Sequence, residues 1–80
     1  MRYEFRLPLL TEDEAKGEAE IAFWYVEKGE TIQEGADIVQ VIVDKMTVDV
    51  PSPKTGKMVE ILVKDGQKAR PGDVLAVLEV

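Results

Sequence analysis

The residue with the clearest capacity for chemistry is a lysine in an unsuitable place. Residues 41–50 read VIVDKMTVDV, a run of valine and isoleucine broken at Asp44-Lys45. A two-residue hairpin turn favours Asn-Gly or Asp-Gly, because a left-handed backbone is cheap only there. Asp44 suits such a turn, whereas Lys45 has no local recommendation. A residue that breaks a local rule without structural gain marks a place to look for function. The alternative is that a charge at a hairpin tip only keeps a sheet edge soluble. Other chemistry is sparse. The chain has no cysteine and no histidine, which removes disulfides, thiolate and imidazole metal sites, cysteine nucleophiles and the usual histidine base. A reactive group would have to come from another molecule. The carboxylates Asp44, Asp49, Glu60 and Asp65 fall on turns and outward strand positions, without the spacing of a catalytic dyad or a metal loop, and read as solvated surface. The segment GKMVEILVKDG lacks the residue order of a phosphate loop. Trp24, with Phe23 and Tyr25, reads as one or two rings in the core and one facing out, rather than as a ligand platform.

The elements around Lys45 follow from alternation. If Asp44 and Lys45 are the loop, the pairs across the hairpin are Val43 with Met46, Ile42 with Thr47, Val41 with Val48, Gln40 with Asp49, and Val39 with Val50. Opposed residues share a face, so this register gathers the valines inward and puts Gln40 and Asp49 outward. A slip of one residue would mix the two faces. Period-two patterning also runs through Tyr3, Phe5 and Leu7, and Gly and Pro punctuate the chain often enough to keep every strand short. TEDEAKGEAE (11–20) is the one helix candidate. It lacks an apolar face and contains Gly17, so it reads as a charged surface loop with at most one helical turn.

The chain also repeats itself. Residues 26–43 laid over 63–80 without a gap match Val26 to Val63, Gly29 to Gly66, Gly35 to Gly72, Ile38 to Leu75 and Val43 to Val80. Each copy runs strand, glycine turn, polar link, second glycine turn, strand. Two copies predict an all-β domain with approximate two-fold symmetry, too few for a solenoid.

Composition bounds the rest. Eighty residues, 45% hydrophobic and 32% charged, fit one domain over 1–80 that rests on a single core. A net charge of −6 argues against nucleic acid and anionic membrane surfaces as partners, since both select a basic footprint. No apolar stretch approaches the roughly 20 residues of a membrane helix. The start MRYEFRLPLL lacks the length and cleavage site of a signal peptide, so the chain reads as mature and soluble. The lack of cysteine fits a reducing compartment, and the expected location is cytoplasmic.

The segment DKMTVDVPSPKTGKMVEILVKDGQ resembles the region around the modified lysine in lipoyl domains of the dihydrolipoamide acyltransferases of 2-oxo acid dehydrogenase complexes. The motifs are the D-K tip, the TVDV strand, PSP, a glycine and ILVKDG; Leu7-Pro8, VEKGETI and GADIVQV extend the likeness over the whole chain. The resemblance implies a flattened β-barrel, or barrel-sandwich hybrid, of two four-stranded antiparallel sheets, with the lysine hairpin at one end and both termini at the other. It implies lipoate in amide linkage to Lys45, a swinging arm installed by a lipoate ligase or lipoyl transferase. Its implied partners are a thiamin-dependent 2-oxo acid dehydrogenase, the acyltransferase catalytic domain and dihydrolipoamide dehydrogenase. The domain would be a carrier, not an enzyme, and monomeric when isolated. Biotinyl domains share this fold and usually place their lysine in A-M-K-M. Asp44 is lipoyl-like and Met46 biotinyl-like, which makes these two neighbours the candidate recognition residues for the modifying enzyme and partners. Asp44 and TVDVPSP favour lipoate; biotin and an unmodified structural module are the alternatives. Two departures from the family are Ile42, where many lipoyl domains carry Glu, and the acidic stretch LLTEDEAKGEAEI, which is longer than usual.

Overall fold

A computed structural model describes residues 1–8, 18–43 and 45–80. The described residues form strands β1 (Arg2–Arg6), β2 (Ala19–Trp24), β3 (Thr31–Ile32), β4 (Asp37–Val43), β5 (Met46–Pro51), β6 (Gly56–Ile61), β7 (Lys68–Ala69) and β8 (Val74–Glu79). They make two four-stranded sheets with the orders β1-β8-β6-β3 and β5-β4-β2-β7, and every pairing is antiparallel. The all-β, two-sheet expectation holds. The charged loop read at 11–20 lies largely outside the described residues.

The repeat is a physical symmetry. Exchanging β1 with β5, β2 with β6, β3 with β7 and β4 with β8 turns one sheet order into the other. The exchange also preserves individual hydrogen bonds. Gly29 N–H donates to Met58 O at 2.7 Å, and Gly66 N–H donates to Ile21 O at 2.7 Å. Met58 N–H donates to Glu30 O as Ile21 N–H does to Gln67 O, both at 2.8 Å. Bulges fall at matching places in β2 and β6, between Ile21 and Phe23 and between Met58 and Glu60. The four repeat glycines, Gly29, Gly35, Gly66 and Gly72, have φ of +95°, +89°, +83° and +93°, a region in which a Cβ is penalised.

Symmetry also locates where the halves differ. Ser52 N–H donates to Ala36 O and Leu7 N–H donates to Asp73 O, so Leu7 and Ser52 are counterparts. From Leu7 the chain takes fourteen residues to reach Ile21, and from Ser52 only six to reach Met58. The extra eight residues fall in the acidic connection between β1 and β2.

Fully buried Ile21, Ile38, Val39, Val41, Met58, Leu75 and Leu78 fill the space between the sheets, each contributing about 1.5–3 kcal/mol by leaving water. Trp24 packs on this core, edge to face with Phe5 at 6.4 Å, and its indole N–H donates to Val63 O at 2.9 Å. Ser52 of the PSP motif is buried, and its hydroxyl donates to Lys54 O at 2.6 Å. β5 runs away from the 44–45 turn, and the next strand begins at Gly56, against Glu79 and Val80. The chain termini, joined by Val80 N–H donating to Met1 O at 2.8 Å, therefore lie at the end opposite Lys45.

Candidate functional site

The β4–β5 register is the one that alternation predicts: Val43 with Met46, Ile42 with Thr47, Val41 with Val48, Gln40 with Asp49, and Val39 with Val50. Val39, Val41, Val43 and Val50 are buried and Val48 is half-buried. Pairing Val43 with Met46 leaves two residues to turn the chain. Lys45 takes φ +66°, and among the described residues it is the only non-glycine with positive φ. That conformation costs an L-residue about 1–2 kcal/mol. A cost of this kind persists where the surroundings over-determine the turn, and it concentrates at functional positions. Here the surroundings are the valine pairs on both flanking strands.

Lys45 is exposed, and among the described residues nothing accepts a hydrogen bond from its ammonium or pairs with it as an ion. The site thus consists of a primary amine on a four-carbon stem, raised at the tip of a register-locked hairpin. Met46 stands beside it, 66% exposed. Asp44, the other neighbour read from the sequence as a recognition residue, lies outside the described residues. Ile42, three residues before the lysine, is half-buried opposite Thr47.

Further from the turn, the outer face of the same sheet carries a polar knot that alternation did not reveal. Tyr25 O–H donates to Asp49 Oδ1 at 2.7 Å and Gln40 Nε2 donates to the same oxygen at 3.1 Å. The two donated bonds, that from Tyr25 foremost, hold the Asp49 carboxyl below its ordinary value of 3.8. The bond to Asp49 raises the Tyr25 phenol above 10.0. Alternation had already placed Gln40 opposite Asp49; the arrival of Tyr25 depends on the β2 bulge, which the sequence does not announce. The bulge also corrects the reading of the aromatic triplet. Only Trp24 packs on the core. Phe23, paired with Gln40 on the outward face, is 39% exposed, Tyr25 is 44% exposed, and the two rings stack edge to face at 4.8 Å.

Asp49, Glu60 and Asp65 are exposed as predicted. A groove of about 790 Å³ between the edges of β1 and β5 is lined by Tyr3, Phe5, Pro8, Val50, Pro51 and Pro53, toward the end of β5 away from the lysine.

Residues 3–78 match the biotin/lipoyl family model, described as "Biotin-requiring enzyme". The dihydrolipoyllysine-residue acetyltransferase component of the pyruvate dehydrogenase complex of Staphylococcus aureus is 39% identical over 79 residues, covering 99% of this chain and 18% of that protein. The protein of the same name from Staphylococcus epidermidis gives the same identity and coverage. The chain therefore spans about a fifth of these relatives' length. The solution structure of the lipoyl domain of the 2-oxoglutarate dehydrogenase complex from Azotobacter vinelandii superimposes with a TM-score of 0.76 at 23% identity, covering 96% of this chain and 95% of that one, a likeness of fold.

Proposed function

The chain belongs to the biotin/lipoyl attachment family, and on that premise we propose that residues 1–80 are a lipoyl carrier domain of a 2-oxo acid dehydrogenase complex, with lipoate attached to Lys45. The observation that carries this reading is the strained, exposed lysine at φ +66° on a turn fixed by valines on both sides. The residues fit the group. An amide at Nζ needs an amine that another enzyme can reach from several directions, and no described side chain competes for it. Condensation of the Lys45 ammonium with a carboxylate expels one water, which a ligase couples to ATP cleavage. It also replaces a charge with a neutral amide, so no ion is left to be desolvated inside a partner's active site.

Lipoate, when bound, supplies a dithiolane able to take up an acyl group and a pair of electrons and give them on. The chain's own contribution is mechanical and electrostatic. The buried valines hold the turn in one register, so the arm's root is fixed while its length sweeps. Asp49, Gln40 and Tyr25 tie the flanking strands together on the outer face. The termini at the far end leave the lysine end free of covalent neighbours.

The partners proposed are a lipoate ligase or lipoyl transferase, a thiamin-dependent dehydrogenase, the acyltransferase catalytic domain and dihydrolipoamide dehydrogenase, in the cytoplasm. The domain catalyses none of their steps. Biotin is the second reading, favoured by Met46 beside the lysine.

The test is intact mass after incubation with a lipoate ligase, lipoate and ATP. One addition of lipoyl size is expected, and none in Lys45→Arg. A chain left unmodified by a ligase that modifies another lipoyl domain in the same tube counts against the reading. Streptavidin capture after treatment with a biotin ligase would move the assignment to biotin.

A further inference from the structure

The internal symmetry supplies a control for what the fold requires on its outer faces. The counterpart of each residue on the lysine sheet sits on the other sheet in an equivalent backbone setting. Phe23 and Tyr25 correspond to Glu60 and Leu62, and the Gln40–Asp49 pair corresponds to Val77 and Glu4. The fold therefore accommodates Glu and Leu where the lysine sheet carries two half-exposed rings. It also carries no tyrosine–carboxylate bond there among the described residues, where Glu4 pairs with Arg6 at 3.0 Å. Exposed aromatic rings in mutual contact are enriched at interface centres relative to the rest of a protein surface.

We infer that the outer face built by Phe23, Tyr25, Gln40 and Asp49, continuous with Ile42 and Thr47 at the hairpin, is the docking surface for the enzyme that acylates Lys45. This inference rests on the carrier function proposed above. The occupant follows from reach. Gln40 lies three residues below the last hairpin pair, about 10 Å along the strand, and Phe23 is its neighbour on β2. An enzyme that forms a bond at Nζ must press on the hairpin itself, and a standard interface of about 800 Å² per partner extends about 16 Å from its centre. Such a footprint centred on Lys45 reaches the level of Phe23 and of Asp49, where the Tyr25 hydroxyl is bound. Charge sets the partner's complement. The chain carries −6 overall, and Asp49 receives both its donors on Oδ1, with Tyr25 and Gln40 holding it ionised. The docking enzyme presents an apolar ridge to the rings and an arginine or lysine to Asp49.

The experiment measures KM and kcat for modification by a lipoate ligase with lipoate and ATP. It compares the native chain, the double variant Phe23→Glu/Tyr25→Leu, and Asp49→Asn. The double variant copies residues that the fold already carries at 60 and 62, and Asp49→Asn keeps shape while removing charge. KM for the domain is expected to rise about tenfold or more in the double variant, with kcat little changed. It should rise severalfold in Asp49→Asn, with a weaker dependence on salt than the native chain shows. Glu60→Phe/Leu62→Tyr, on the opposite sheet, should leave both constants unchanged. Equal kcat/KM in native and both face variants overturns the docking surface and leaves the carrier function standing. A native chain that is never modified overturns both. Unchanged modification with slowed reductive acylation by a 2-oxo acid dehydrogenase would assign the face to that enzyme, and the inference as made would be wrong.

Discussion

Replacing Lys45 by Gly should make the domain more stable while removing its attachment point, and the size of the gain can be worked from the backbone. Lys45 sits at φ +66°, where an L-residue loses about 1–2 kcal/mol relative to its preferred regions. Glycine relieves that strain. It also gains freedom in the unfolded chain, which returns about 0.4–1 kcal/mol to the unfolded side. The side chain itself contributes little, being exposed and without a partner among the described residues. The net expectation is a gain of about 0.5–1 kcal/mol, or roughly 2–8 °C in Tm for a domain of this size. Lys45→Ala and Lys45→Arg keep both the Cβ and the strain, and should melt within a degree or two of the native chain. The assay is thermal unfolding of the three unmodified variants beside the native protein, by calorimetry and circular dichroism. If Lys45→Gly melts at or below Lys45→Ala, the turn is not strained by its lysine, and the argument that function holds a disfavoured residue there fails.

Gly56→Ala should act in the opposite direction although φ there is ordinary: a Cβ would lie 2.5 Å from Glu79 O and 2.9 Å from Val80 Cγ1, so β6 and β8 must part, at a cost of about 1–3 kcal/mol in urea unfolding. The Tyr25–Asp49 bond should give stability a pH window. The Asp49 carboxyl is held below 3.8, so its contribution is complete above that value and is lost as pH falls through the lower folded value. The Tyr25 phenol is raised above 10.0, so its contribution is complete below 10.0 and is lost as pH rises through the higher folded value. Tyr25→Phe should move the Asp49 carboxyl resonance back toward an ordinary titration by NMR; an unchanged midpoint would mean that the bond does not form in solution.

The parts of the fold that the sequence announces are those where several local signals agree. Valines on both sides of Asp44-Lys45 admit one register, and the four repeat glycines take four of the five positive-φ positions among the described residues, so hairpin and symmetry are both legible in the sequence. The sheet partition was less accessible. β3 and β7 are two residues long, too short for alternation, and the joining of β1 to β8 pairs residues from opposite ends of the chain, so the two-sheet architecture was expected only through family resemblance. The aromatic triplet has one ring in the core, as expected, but two facing out rather than one, for a different reason. One extra residue in β2 changes which face Phe23 and Tyr25 occupy, and a bulge leaves no mark in the identity of its residues. Gly56 stands in the sequence only among the glycines and prolines that keep the strands short, while its real constraint is the β8 backbone pressed against it.

Symmetry also explains how a lysine can occupy a turn that disfavours it. The pair Val43 and Met46, closed by residues 44 and 45, corresponds to the pair Val80 and Met1, where no residues close the gap. Val80 N–H still donates to Met1 O there, at 2.8 Å, and β1 keeps its register with β8. Strand ends at this position are therefore held by the core and the ladder, not by the turn. If the open junction needs no loop to stay in register, the closed one places little structural demand on the identity of its loop residues. The valines do the holding, and position 45 is left free to carry an amine at a backbone cost of about 1–2 kcal/mol. Moving that lysine to an unstrained site along β4 or β5 would lower the cost, and would also lay the amine against the sheet, where an arm could no longer sweep.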